Sequence, residues 1–295
     1  MNRRYHIVVV GGGITGLMAA TLLARGPHNE TLDITLVDAA SRPSYDPDSE
    51  VALRVSAIAR GSAELFESVA AWDFVAATRA SAYDSMRVWD ENDAPDSASA
   101  LHFDAAEFAV PQLGFIVENA LLQESLLRQL DATDTELRFE VRIGSLRRKA
   151  RQFHVELEDG EILAADLIIG ADGARSFVRS AAGIEANEWP YDQTAFVTHL
   201  RPDLPHNATA WQRFLRTGPL GILPLEDGRV SVVWSTTPEQ ANAALDAADE
   251  VTGRMLSDAS DYVLGDLQVA GPKGAFPLCA RHATSYVLPN LALIG

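Results

Sequence analysis

The chain has 295 residues, enough to bury a sizeable core in one large or two smaller domains, and its 47% hydrophobic and 22% charged residues are those of a globular protein rather than a disordered one. Its 41 acidic and 24 basic residues give a net charge of −17, which repels phosphate backbones and argues against nucleic acid as a partner. The single cysteine, Cys279, rules out a disulfide framework or a cysteine zinc site and suits a reducing cytosol; the seven histidines show no metal-ligand spacing.

The first element is YHIVVVGGGITGLMAATLLA, Tyr5 to Ala24. Its β-branched run, Ile7 to Val10, predicts a central parallel strand buried on both faces. Gly11, Gly13 and Gly16 then give the pattern G-x-G-x-x-G. One glycine serves the tight turn, one lets the backbone approach a pyrophosphate, and one lets helix pack on sheet. The helix predicted from Ile14 to Ala24 points its free N–H groups and positive dipole end at that phosphate. A second apolar strand (Leu32, Ile34, Leu36, Val37) ends in Asp38, whose carboxylate suits a ribose diol. The competing readings are an unliganded βαβ unit, a secretory signal or a membrane span beginning at Arg3 and Arg4. Four glycines and the following acid weigh against all three.

A polar, proline-bearing loop from Ala39 to Asp48 follows. Arg54 then stands in an otherwise apolar run, either as a surface charge or as a cationic hand on the dinucleotide. One helix is predicted from about Gly61 to Trp72. From Ser85 to Phe108, short alternating stretches (Met86, Val88; Leu101, Phe103) around a polar loop predict antiparallel strands inserted into the first layer. GFIVENA sets Glu118 and Asn119 at the entrance of a helix whose apolar stripe is Leu121, Leu122, Leu126, Leu127 and Leu130. Three β-rich pieces come next, with a hairpin turn at Glu158-Asp159-Gly160 and alternation at Phe153, Val155 and Leu157. The basic cluster Arg147, Arg148, Lys149 and Arg151 reads first as a solvated hairpin edge.

The second strong signal is DLIIGADGARSFVRSAAGI, Asp166 to Ile184. Leu167 to Ile169 predict a buried strand, and Gly170, Asp172 and Gly173 a turn before a helix carrying Arg175 and Arg179. The carboxylate is either a plain helix cap or a holder of ribose or ribityl hydroxyls, and the N-terminal fingerprint favours the second. From Glu185 to Leu278, TAFVTHL, TAWQRFL, GILPL and RVSVVWS predict an antiparallel sheet, with helices from Pro238 to Ala248 and Asp249 to Ser260. Trp211, Phe214, Trp234 and Phe276 read as core or as the lining of a cleft under that sheet. Leu291 to Ile294 rebuild a buried strand. No Ser-His-Asp or Cys-His arrangement is recognisable, so no catalytic residue is assigned.

Together these residues resemble the flavin-dependent aromatic hydroxylases of the para-hydroxybenzoate hydroxylase type, in their ubiquinone-biosynthesis branch. The motifs that carry the resemblance are VVGGGITGL at 9–17, LRVSAIARGS at 53–62, LGFIVENALL at 113–122, DLIIGADGARSFVR at 166–179, TAWQRFLRTGPLGILPL at 209–225 and LALIG at 291–295. The resemblance implies an α/β fold: a Rossmann-like FAD-binding domain of the GR2 type, a parallel sheet with helices plus a β-meander, interleaved with an antiparallel-sheet substrate domain. Segments 1–72, 111–184 and 281–295 are expected in the first and 73–110 and 185–280 in the second.

By the same resemblance Gly11, Gly13 and Gly16 meet the FAD diphosphate and Asp38 the adenosine ribose. Arg54 and Asn119 sit near the ribityl and phosphate portion, and Asp172 and Gly173 serve FAD and the reduced nicotinamide donor. The implied reaction uses FAD, NAD(P)H or another electron donor, and O2 to hydroxylate a prenylated phenol. His199 and His206 are the imidazoles available to assist phenol deprotonation. The implied setting is cytoplasmic, with no transmembrane segment, drawing the lipid from a membrane surface or a ubiquinone-biosynthesis protein complex. In the family the L-I-G of 293–295 continues into D-A-A-H and a glycine-rich helix start, so a C-terminally truncated chain is expected, with FAD binding weak or absent and no activity. Two rival readings are an FAD or NAD(P) oxidoreductase that acts on a prenyl lipid without oxygen, and a non-catalytic lipid-binding or assembly component.

Overall fold

A computed structural model describes residues 3–295. The apolar run near the N-terminus is β1 (Tyr5–Val10), its last four residues buried. Helix α1 (Ile14–Arg25) crosses to β2 (Leu32–Val37), which lies parallel to β1 with Val10 beside Val37. A long loop leads to β3 (Val55–Ala59), α2 (Arg60–Ser68) and α3 (Trp72–Thr78). The single helix expected over 61–72 is therefore two. Ala70 adopts a left-handed φ of 57°, and the Ala70 and Ala71 amides turn back onto the carbonyls of Glu67 and Phe66, both at 2.9 Å. Burial decides the restart, because Trp72 docks edge-on to Phe115 with ring centroids 4.7 Å apart.

Strand β4 (Ala80–Tyr83) is followed by β5 (Ser85–Asp90) and β6 (Leu101–Asp104). Strand β7 (Gly114–Glu118) returns and pairs antiparallel with both β3 and β4 in a small three-stranded sheet. Its continuation is α4 (Asn119–Asp131), whose leucine stripe is fully buried against α1. Residues 72–83 thus pack with this first core, and the chain enters the second large sheet only at Ser85.

Strand β8 (Glu136–Arg138) extends β2 in parallel. Strands β9 (Ile143–Lys149), β10 (Gln152–Leu157) and β11 (Ile162–Ala165) form a meander through the predicted turn, burying Phe153, Val155 and Leu157. Strand β12 (Leu167–Gly170) then pairs parallel to β1, placing Gly170 beside Val10, and the short α5 (Phe177–Ala181) begins two residues after Arg175.

The second sheet is built from β13 (Ala186–Pro202), β14 (Thr209–Leu215), β15 (Gly218–Pro224) and β16 (Val230–Thr236). Helices α6 (Pro238–Asp246) and α7 (Asp249–Ala259) cover it, and β17 (Leu267–Val269) and β18 (Gly274–Ala283) complete it on β13. Finally β19 (Val287–Leu288) and β20 (Leu291–Leu293) return to the first sheet. The parallel sheet runs β19-β20-β12-β1-β2-β8, and the eight-stranded one β17-β13-β16-β15-β14-β5-β6, with β18 beside β13. The fold is thus the expected α/β arrangement of a Rossmann-like sheet, a meander and an interleaved second sheet. In the second sheet all pairings are antiparallel except β5 with β14, which run parallel.

The two large sheets are covered differently. The parallel one is buried on both faces, by the helices on one side and the meander on the other. The second buries Phe196, Leu200, Leu220, Ile222, Val232 and Trp234 under α6 and α7. The alternate residues point to the opposite face. Among them are Val197, Val233, Gly221, Met86 and Val88, all only part-buried, and the exposed Phe103 and Phe214.

Candidate functional site

The glycine fingerprint closes the turn between β1 and α1. Gly11 has a φ of 112°, and a Cβ there would lie 2.3 Å from the Ala171 carbonyl oxygen, so only glycine fits. A Cβ on Gly16 would lie 1.9 Å from the Gly11 carbonyl oxygen, which is what seats α1 on the strand end. Gly13 differs: its Cβ direction meets nothing within 4 Å. Two of the glycines are needed for packing, and the third opens onto a cleft.

That cleft joins the two corners singled out in the sequence. The Ala171 amide donates to the Val10 carbonyl at 2.7 Å, so the Asp172-Gly173 turn sits against the fingerprint turn. Together they border a cavity of about 500 Å³, with Gly11, Gly13, Asp38, Asp172 and Gly173 in its wall. Five of the eight expected cofactor residues therefore converge. Arg142 and Arg175 also border it, exposed and without ion pairs among the described residues. A cradle of backbone N–H groups, an α-helix N-terminus and two cations suits a diphosphate.

Both carboxylates are already structural. Asp38 Oδ2 accepts the Gly12 N–H, and its Oδ1 accepts the Ala40 N–H at 2.6 Å, leaving a second lone pair on each oxygen for a hydroxyl. Asp172 Oδ1 accepts the Ser176 hydroxyl at 2.5 Å and Oδ2 the Val178 N–H at 3.0 Å, which fixes the start of α5. The plain helix-cap role of Asp172 is thus present alongside its place on the cleft.

Gly16, Arg54 and Asn119 do not border this cavity. Arg54 and Asn119 are joined instead to each other, the Asn119 amide donating to the Arg54 carbonyl at 3.0 Å and the Ser56 hydroxyl to Asn119 Oδ1 at 2.6 Å. The link to the fingerprint is Gln123, one turn along α4, whose side-chain amide donates to the Gly12 carbonyl at 3.1 Å. Sequence reasoning missed Gln123; its i, i+4 spacing from Asn119 was the available signal. It also gave no role to Glu118, a 3% exposed carboxylate paired with Arg79 at 3.1 Å. Burial and the neighbouring Glu118 charge push the Tyr45 hydroxyl up to about 12.

The two histidines differ. His206 is a loop tie: its Nδ1 accepts the Ala208 N–H at 3.2 Å, leaving Nε2–H to donate to the Leu225 carbonyl at 3.0 Å. His199, on β13, is fully buried, and neither ring nitrogen has a partner among the described residues. Burial lowers its pKa, and the Arg229 charge adds to the effect, so the ring is held neutral. It faces Ser231 across the sheet, whose hydroxyl is likewise unpartnered. The basic cluster lies on the β9–β10 hairpin, with Arg147 at 3.8 Å from Glu156. Among the described residues no group of three His, Cys, Asp or Glu is arranged to hold a metal, and no helix is long and apolar enough to cross a membrane.

A cleft at a strand–glycine–helix turn of a parallel sheet, with a second sheet interleaved through the same chain, is the fold of a class of FAD-dependent monooxygenases. The structure of PqsL from Pseudomonas aeruginosa shares it, with a TM-score of 0.77 at 20% identity over 99% of this chain and 78% of that one. The FAD binding domain family matches residues 4–295, and the chain belongs to it. Curated relatives lie in the ubiquinone-biosynthesis branch. The 3-demethoxyubiquinol 3-hydroxylase of Escherichia coli is 33% identical over all of this chain and 73% of its own length. The mitochondrial ubiquinone biosynthesis monooxygenase COQ6 of Xenopus tropicalis is 33% identical over 99% of this chain and 71% of its own. The resemblance read from the motifs is thereby established at the level of family and branch.

Proposed function

We propose that this chain hydroxylates the aromatic ring of a prenylated phenol, with O2 as oxygen source and FAD as cofactor. The observation that supports it most is the junction of the fingerprint and Asp172-Gly173 turns on one cleft. Gly11 and Gly13 bring backbone N–H groups to the diphosphate, while Gly16 seats the helix behind them. Asp38 takes the adenosine ribose through its free lone pairs, Arg54 and Asn119 the ribityl side, and Asp172 and Gly173 the opposite wall. FAD, once bound and reduced by NAD(P)H or another donor, supplies the oxygen activation.

The protein's share is alignment and exclusion of water. Segments 1–72, 111–184 and 281–295, with residues 73–83 beside them, hold the cofactor. The rest of 73–110 and 185–280 covers the ring and tail. The open face of the second sheet, part-buried and apolar at Val197, Val233 and Val88, suits a polyprenyl tail better than a polar substrate. The lipid is drawn from a membrane surface or from a partner in its biosynthesis.

Titration with FAD, followed by quenching of flavin fluorescence, tests this reading. Saturable quenching by FAD, lost in Gly13→Leu, is expected; none in the wild type sinks the cleft assignment. Oxygen consumption that depends on a prenylated phenol is expected of the flavin-loaded protein; flavin binding without it overturns the hydroxylase reading and leaves the cleft assignment standing.

A further inference from the structure

The residue at the entrance of α4 behaves unlike an ordinary helix cap. Glu118 occupies the N-cap position, yet its side chain makes no hydrogen bond to its own helix. Ser, Thr, Asp or Asn there accepts from the free N–H groups of the first turn, a role to which the longer glutamate is less suited. Instead its carboxylate points away, buried, and collects donors from the loop before β3. Oε1 accepts the Ala52 N–H at 2.7 Å, and Oε2 accepts the Tyr45 hydroxyl at 3.2 Å and the Arg79 guanidinium at 3.1 Å. Arg79 in turn donates to the carbonyls of Pro47 at 2.6 Å and Ser49 at 3.0 Å.

Every one of those loop contacts falls between residues 45 and 52, and Arg54 is the next charged residue along the chain. Its carbonyl is held by the amide of Asn119, the residue after Glu118. One ion pair between a buried carboxylate and a part-exposed guanidinium thus fixes the backbone on both sides of the arm that presents Arg54 and Asn119. It also leaves the first turn of α4 uncapped, with the negative charge of Glu118 neutralised by Arg79 rather than offered to an anion arriving at that turn.

We propose that Glu118 and Arg79 form a positioning clamp that sets the 45–54 arm, and through it Arg54 and Asn119, for an anionic dinucleotide; this rests on the FAD reading above. Neither residue borders the fingerprint cleft; both line a separate cavity of about 380 Å³. They act by holding a loop that has no sheet partner from Ala39 to Arg54, and by keeping a buried carboxylate from repelling phosphate.

Hydrogen exchange on the cofactor-free chain tests the clamp without FAD. In Glu118→Gln and Arg79→Met, peptides covering 45–54 are expected to exchange at least tenfold faster, while those from β1 and α1 are unchanged. Unchanged exchange at 45–54 overturns the clamp, as does equal acceleration throughout the cofactor-side core.

FAD titration supplies the readout that a purely structural role would not move. Arg79→Met is expected to weaken FAD at least tenfold, and Arg79→Met with Glu118→Gln to recover part of that loss, because the unpaired buried charge is gone. Glu118→Gln and Arg54→Ala are expected to be non-additive. Equal losses in Arg79→Met and the double variant, or strict additivity with Arg54→Ala, overturn the proposal. If the wild type binds no FAD, the cofactor reading fails and the exchange experiment still decides the clamp.

Discussion

The two large sheets spend their apolar residues in different ways. In the parallel sheet, β1 reads Ile7-Val8-Val9-Val10 because helices cover one face and the meander the other, and all four side chains are buried. Burial accounts for the whole run. In the eight-stranded sheet, α6 and α7 cover only one face. A two-layer sheet with one wet face ordinarily alternates apolar and polar. Here the other face is covered only in part: His199 and Ser231 are fully buried on it, whereas Met86, Val88, Val197 and Val233 stay part-exposed. Where packing already explains an apolar residue, it says little about function.

The sharpest contrast lies within the fingerprint itself. Gly16→Ala places a methyl 1.9 Å from the Gly11 carbonyl oxygen, so a loss of about 3 kcal/mol or more is expected in denaturant unfolding. Gly13→Ala meets nothing within 4 Å; its unfolding free energy should stay within about 0.5 kcal/mol of wild type while FAD affinity falls. Equal destabilisation by both would remove the distinction between a packing glycine and a cleft glycine.

Neighbouring valines on β16 test the two faces of the second sheet. Val232 is fully buried under the helices, and Val232→Thr puts a hydroxyl there at a cost of about 2 kcal/mol. Val233→Thr, on the open face, is expected to cost less than about 0.5 kcal/mol. It should weaken a prenylated phenol relative to its tailless parent. A similar stability loss at both positions would show that the open face is a core after all.

The smallest expected effect is pH-dependent. His199 has its pKa lowered by burial, so below the ordinary histidine range the unfolded chain takes up a proton that the folded chain resists. Stability from this group is present above about pH 6.5 and declines as the pH falls below it. His199→Gln should flatten that segment of the unfolding profile between neutral and mildly acid pH. An unchanged profile would mean the ring is not held neutral.

Elements whose signals are local were legible in the residues. The Ile7–Val10 run, the glycine turn, the leucine stripe from Leu121 and the Glu158-Asp159-Gly160 hairpin each depend on near neighbours in sequence. The predicted helix over 61–72 failed because its restart is set by Trp72 meeting Phe115, more than 40 positions away. Gln123 escaped notice, and Glu118 was read only as a helix entrance, because their partners, Gly12 and Ala52, lie 111 and 66 residues distant.

The sequence by itself determined the strand–glycine–helix unit, the Asp172-Gly173 turn and the branch of the family, because each is written in contiguous residues of fixed spacing. Tertiary structure alone decided that the two turns share one cleft. It also decided that β5 runs parallel to β14 and that the acid at the head of α4 serves a loop rather than its own helix. Those outcomes depend on which distant surfaces meet, and a side chain's hydrogen bonds and burial are properties of that meeting.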